Sequence, residues 1–138
     1  ELPVQQLWNF MSGIGERLAP MPDSVALLTM LREQRDRHGD LRLYFLSNMP
    51  APFARVLEHR HAFLSWFDGG VFSGDVQLIK PDPAIYALLE TRYALEPAKT
   101  VFVDDLVANV AAAQARGWRG VHFQSAEQAA PHLVPALR

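Results

Sequence analysis

The stretch TVFVDDLVANV, Thr100 to Val110, decides the fold. A β-type run, TVFV, leads into two adjacent carboxylates, Asp104 and Asp105, and then at once into residues with helical spacing. A strand that hands over to a helix through a polar turn is the repeating unit of a parallel α/β sheet, and such sheets gather their chemistry in loops just beyond the carboxyl ends of the strands. Adjacent anions repel each other, so a fold that keeps them together usually holds a cation or a proton between them.

The same alternation extends outward from this stretch. The runs LRLYFL (Leu41 to Leu46), GGVFS (Gly69 to Ser73) and GVHF (Gly120 to Phe123) read as further strands. Pro22 to His38 carries Val25, Leu28 and Leu31 on one face and stops at Gly39, which predicts a helix feeding the Leu41 strand. In KPDPAIYALLETRYAL, Asp82 and Pro83 read as N-cap and first helical position, with Ile85, Leu88 and Leu89 turned inward. Val107 to Arg116, stopped by Gly117, is the helix after the acidic pair, and Ser125 to Leu137 forms a last amphipathic segment. Strand, helix, strand in series predicts an α/β domain with parallel pairing through crossovers. Residues 1 to 20 fit this scheme less well: LWNFMSGIG is apolar and helix-like, and LAPMP reads as a linker.

Composition narrows the function classes. The 138 residues, 49% hydrophobic and 20% charged, suit one globular domain with a real core. A formal net charge of -2 offers no field to gather nucleic acid or anionic lipid, so neither is expected as a partner. With no cysteine, disulfides, thiolate metal sites and a cysteine nucleophile are excluded, which fits a reducing cytoplasm. No apolar run reaches the roughly 18 residues of a membrane span, and ELPVQQLWNF lacks a signal-peptide layout.

The strand ends are polar throughout: Ser47-Asn48 after the Leu41 strand, Lys80 after the Gly69 segment, and Asp104-Asp105 after the Thr100 strand. Each has an ordinary explanation by itself, since Ser-Asn pairs start turns, loop lysines face water and Asp105 could cap the following helix. Together they make a set suited to a divalent cation and a phosphoryl group. Mg²⁺ prefers oxygen ligands and is typically held by one or two carboxylates plus substrate phosphate. The Lys80 ammonium would neutralise a phosphoryl oxygen or a carboxylate, and Ser47 would hydrogen-bond another oxygen. None of these groups is a convincing nucleophile, because Ser47 has no paired base; of the five histidines only His122 lies at a strand end, where packing or exposure is the simpler reading.

These residues resemble the haloacid dehalogenase-like hydrolases. LYFLSN with Ser47 is similar to the second of that family's four motifs, KPDP with Lys80 to the third, and VFVDDLVAN with Asp104, Asp105 and Asn109 to the fourth; FSGDV and ARGW are also similar to the branch with a helical cap. The resemblance spans roughly residues 21 to 123. It implies a Rossmann-like three-layer sandwich and a mechanism in which an aspartate attacks phosphorus, forms an aspartyl-phosphate and is released by water. It also implies Mg²⁺ as cofactor, with Asp105 as metal ligand, Asp104 at the metal or paired with Lys80, Ser47, Asn48 and Lys80 on the substrate, and Asn109 steadying the acidic loop.

The first motif, an apolar strand ending in Asp-x-Asp, is absent from the sequence, and nothing before Leu41 resembles it. The resemblance would make that strand central. The expectation is therefore a sheet with a gap in its middle, residues 1–20 being the remnant of a cap and linker, residues 21–138 the core, and the nucleophile upstream. An unsatisfied sheet edge would favour self-association. The function expected is a Mg²⁺-dependent phosphatase of a small phosphorylated metabolite such as a sugar phosphate, with this chain alone inactive. The competing readings are a metal-independent 2-haloacid dehalogenase and a noncatalytic binding or regulatory module on the same scaffold.

Overall fold

Five strands, β1 (Trp8–Ser12), β2 (Leu41–Ser47), β3 (Gly69–Phe72), β4 (Thr100–Asp104) and β5 (Arg119–His122), form one sheet in the order β3-β2-β1-β4-β5. Every neighbouring pair is parallel. The helices are α1 (Pro22–His38), α2 (Ala51–Arg60), α3 (Ser73–Val76), α4 (Pro83–Tyr93) and α5 (Val107–Ala115), with a short 3-10 turn at Pro97–Lys99. This computed structural model describes residues 8–12, 22–39, 41–60, 66–124, 128 and 131. The expected closing segment, Ser125 to Leu137, lies almost wholly outside the described residues.

The expected gap in the sheet is not there. Trp8–Ser12, read from sequence as part of a helix-like stretch, is a strand that pairs with β2 from Trp8↔Leu41 to Ser12↔Phe45 and with β4 from Asn9↔Thr100 to Ser12↔Val103. The physical reason is backbone satisfaction: β2 and β4 each present an inner row of donors and acceptors, and an extended segment between them pairs both rows at once. Five residues are too few to reveal their period, so the apolar spacing of LWNFMSGIG was ambiguous between helix and strand. With the slot filled, the reason given for self-association no longer holds in the middle of the sheet.

The chain winds outward from β1 through β2 to β3, then returns to the other side of β1 for β4 and β5. The direction of winding therefore reverses at β1, and the crevice at the carboxyl ends of β2, β1 and β4 is where such a fold accommodates ligands. The two faces of β2 follow the period-2 rule. Tyr44 and Leu46 belong to a core with Val71, Phe102, Ile85, Tyr86, Leu89, Ala113 and Trp118, whereas Phe45, on the other face, packs against Met49, Ala54 and Phe72. α4 and α5 thus cover one face and α2 the other, which is why LYFL reads as a continuous apolar run rather than an alternating one.

Local chemistry sets the element ends. Asp82 caps α4, its Oδ1 accepting the Ala84 amide at 2.9 Å, with Pro83 in the first turn. Gly39 (φ 65°) and Gly117 (φ 87°) follow α1 and α5 in the left-handed region that glycine enters without strain. α4 ends on Ala94 at φ 52°, a left-handed cap without glycine that the sequence did not signal. Trp118 is buried against Tyr86 and Phe102, and Trp66 lies under the Arg32 guanidinium at 4.2 Å from its ring centre. Both rings therefore serve packing.

Candidate functional site

β4 is buried along its whole length, so the side chain of Asp104 at its end has no route to water. The Lys80 side chain, from the loop that leads into α4, reaches the same place: Nζ lies 2.9 Å from Asp104 Oδ2, and both side chains are 0% exposed. A buried charge persists only when paired and hydrogen-bonded, and Asp104 is fully furnished. Its Oδ1 accepts the Leu106 amide at 2.8 Å, and the Asn109 amide nitrogen stands 3.3–3.4 Å from its two oxygens. Asn109 is held in turn from the first turn of α5, where its carbonyl accepts the Tyr86 hydroxyl at 2.8 Å.

Asn48, at the end of β2, clamps the lysine from the backbone side. Its Oδ1 accepts the Lys80 amide at 2.8 Å and its Nδ2 donates to the Lys80 carbonyl at 3.1 Å. Ser73 ties the end of β2 to that of β3, its Oγ accepting the Met49 amide at 2.8 Å. Ser47, the last residue of β2, is buried, and its hydroxyl has no hydrogen-bond partner among the described residues. Left unpaired, a buried hydroxyl is costly. β1 alone separates β2 from β4, which puts the backbones carrying Ser47 and Asp104 roughly 10 Å apart at ordinary strand spacing.

The opening doublet thus splits. Asp104 turns inward to Lys80, whereas Asp105 is exposed, its carbonyl 3.1 Å from His122 Nε2. The structure brings Lys80, Asp104, Asn109 and Asn48 into one network and sets Ser47 at the same end of the sheet; it leaves the Asp105 carboxylate at the rim. Of the two roles expected for Asp104, at the metal or paired with Lys80, the structure shows the pairing, its oxygens accepting from the Lys80 ammonium and the Leu106 amide. Asp105 does not cap α5: the N-cap residue is Leu106, with no side-chain cap. Two supports escaped the sequence reading, Tyr86 and Ser73. The phrase FSGDV did contain Ser73, but only topology brings it to Met49.

Among the described residues no three His, Cys, Asp or Glu side chains gather as metal ligands, and Asp105 is the one carboxylate of the doublet left for a cation. β1 adds none, its residues being Trp, Asn, Phe, Met and Ser. Arg55, a neighbour of the site in sequence, is engaged at a half-exposed surface with Asp75 (2.8 Å) and Glu58 (2.7 Å), in keeping with a solvated helix face. No helix among the described residues is long and apolar enough to cross a membrane.

A family model described as haloacid dehalogenase-like hydrolase matches residues 6–117. A sesquiterpene phosphatase, astK, of Aspergillus oryzae is 35% identical over 102 residues, 74% of this chain and 50% of the relative, so the chain spans half the length of that curated protein. Among solved structures, an uncharacterized protein from Corynebacterium glutamicum is similar over 95% of both chains with a TM-score of 0.78 at 21% identity. A HAD family enzyme of Bacteroides thetaiotaomicron, solved with magnesium and inorganic phosphate, gives a TM-score of 0.64 at 20% identity over 73% of this chain and 52% of its own. At these identities the two structures speak to the fold.

Proposed function

This chain belongs to the haloacid dehalogenase-like hydrolases, and on that premise we propose that it carries the phosphate-binding half of a phosphatase acting on a small phosphorylated metabolite. The observation that carries this reading is the fully buried Lys80–Asp104 pair at the same sheet end as Ser47, whose hydroxyl has no partner among the described residues. In this proposal Ser47 donates to one phosphoryl oxygen, and Lys80, fixed by Asn48 and Asp104, stabilises the charge that builds on the transferred group. Asp104 and Asn109 position the lysine and do not react.

The reaction proposed is a double displacement. A carboxylate oxygen attacks phosphorus as the ester P–O bond breaks and the leaving alkoxide takes up a proton; water then attacks the acyl phosphate, releasing inorganic phosphate and restoring the carboxylate. Trp8–Ser12 holds the central slot and supplies no such carboxylate, so the nucleophile in this proposal is carried on an upstream segment that does not pair between β2 and β4, and this chain alone is inactive. Residues 1–7 and 13–20 lie outside the described residues, and their reading as remnant of a cap and linker is part of the same proposal. The likeness to the A. oryzae sesquiterpene phosphatase supports phosphatase chemistry. Magnesium, present in the Bacteroides complex, is proposed for the longer protein, with Asp105 the carboxylate contributed from this chain. One lysine against two aspartates leaves an excess negative charge that repels a phosphate dianion, which is the electrostatic argument for a cation there.

A second reading, a noncatalytic phosphate-binding module, is favoured by the same absence of a carboxylate from β1. The deciding experiment is phosphate release from an aryl phosphate by the protein encoded with its upstream sequence, with and without chelator. Chelator-sensitive release that an upstream Asp→Asn change abolishes supports the phosphatase. An upstream sequence without a strand ending in aspartate, or a longer protein that binds phosphate without turnover, selects the module. Halide release from a 2-haloacid without metal would select dehalogenase chemistry instead.

A further inference from the structure

The turn that follows β2 is held from outside its own element. Ser47 ends the pairing of β2 with β3, against Phe72, and just beyond that pair the two chains meet again through hydrogen bonds of another kind. Ser73 Oγ accepts the Met49 amide at 2.8 Å and stands 3.4 Å from the Met49 carbonyl oxygen, which also accepts the Gly74 amide at 2.9 Å. Both backbone polar groups of the buried Met49 are thus satisfied by one dipeptide, Ser73-Gly74. Further along the same connection, Lys80 donates its amide to the Asn48 side chain and accepts from it at its carbonyl. The segment from Ser73 to Lys80 therefore grips the turn at two consecutive residues, and Ser47 directly precedes both.

Gly74 is needed there for space. A β-carbon at this position would stand 2.3 Å from the Ala51 amide nitrogen and 2.8 Å from both the Met49 carbonyl oxygen and the Pro50 carbonyl carbon, all backbone atoms that no rotamer change can move aside. Ordinary contact begins at 3.4 Å, so a side chain here drives the turn outward by about 1 Å, a displacement that in a binding group is enough to cost on the order of 100-fold. Resting on the phosphate-binding reading above, we propose that Ser73 and Gly74 are positioning residues of the phosphate site: they touch no phosphate themselves, and they set where the Ser47 hydroxyl and the Asn48 clamp stand relative to the Lys80 ammonium. A turn docked in this way holds its donor in place before the anion arrives, so that little ordering remains to be done on binding.

The test follows inorganic phosphate binding to this 138-residue chain, in magnesium-containing buffer, through the amide resonances of Ser47 and Asn48, at a temperature where every variant compared is folded. Gly74→Ala should weaken phosphate by about tenfold or more, and Ser73→Ala, which leaves the backbone space intact, by about threefold or more. Thr100→Ala serves as the control for a purely structural loss: it removes a buried hydroxyl, bonded to the Glu96 carbonyl at 2.8 Å, at the opposite end of the sheet, and should leave phosphate within about twofold. Phosphate affinity unchanged in both Ser73→Ala and Gly74→Ala overturns the positioning role while leaving phosphate binding intact. A loss in Thr100→Ala as large as in Ser73→Ala overturns it too, by assigning the effect to general loosening of the fold. Should Gly74→Ala fail to fold, Ser73→Ala against Thr100→Ala decides the matter. If the unsubstituted chain binds no phosphate, the phosphate-binding reading falls first and this inference with it.

Discussion

Asn48 and Lys80 exchange two hydrogen bonds across 32 positions of sequence, the lysine amide to Asn48 Oδ1 at 2.8 Å and Asn48 Nδ2 to the lysine carbonyl at 3.1 Å. The side chain at the end of β2 thereby substitutes for a backbone partner and fixes where the Lys80 side chain starts. Asn48→Ala should remove both bonds from a part-buried amide and carbonyl, at a cost of about 1–3 kcal/mol. Urea denaturation would measure this, and a loss below about 0.5 kcal/mol would show that water replaces the clamp.

Removing one partner of the buried pair should cost more than removing both. Lys80→Met leaves the Asp104 carboxylate in a dry site and should destabilise by about 3–5 kcal/mol, whereas Lys80→Met with Asp104→Leu should recover a large part of that loss. A double variant whose destabilisation equals the sum of the two single changes would contradict the coupling that the 2.9 Å contact implies.

The doublet should be strongly unequal. Asp105 is exposed, and Asp105→Asn should change folding stability by no more than about 0.5 kcal/mol. Asp104→Asn strips the buried Lys80 ammonium of its counter-charge and should cost several times that, on the order of 2–4 kcal/mol. Thermal or chemical melts of the two variants side by side would settle it, and equal effects would overturn the inward and outward assignment.

A second carboxylate gives this protein a pH signature away from the site. Hydrogen bonds from Arg116 hold Glu90 below the usual carboxylate range, with burial opposing and the Trp118 indole adding to the lowering. A carboxyl with a depressed folded pKa contributes stability that is present above its unfolded value of about 4.3 and is lost as pH falls through the folded one. The stability gap between the native protein and Glu90→Gln should therefore be widest at neutral pH and close in acid. A gap that stays constant from neutral pH to well below the glutamate value would refute the linkage.

The end of α4 offers a stabilising change. Ala94 is exposed and occupies the left-handed region at φ 52°, and Ala94→Gly should gain about 0.5–1 kcal/mol by relieving the Cβ strain. A rise in the denaturation midpoint with an unchanged slope would bear this out; a fall would mean that the alanine methyl packs more favourably than the strain costs.

Much of this protein could be read residue by residue because local rules suffice. Pro22–His38 ends at a glycine that tolerates a positive φ, Asp82 and Pro83 begin α4, and TVFV runs to the acidic doublet as a buried strand. The periodicity of apolar residues and the turn chemistry were enough for these, since each depends on neighbours within a few positions. The charge problem posed by Asp104 and Asp105 also pointed to a partner cation, and Lys80 was among the candidates.

What the sequence determined, then, is the alternation of strands and helices, the identity of the polar residues at the strand ends and the lack of any cysteine chemistry. Tertiary structure decided that Trp8–Ser12 fills the centre of the sheet, that Lys80 meets Asp104, and that Asp105 faces outward. The physical reason is range: strand pairing and ion-pair burial join residues 24 to more than 90 positions apart, and each is favourable only when the partner meets it where water is excluded, which no local pattern of letters records.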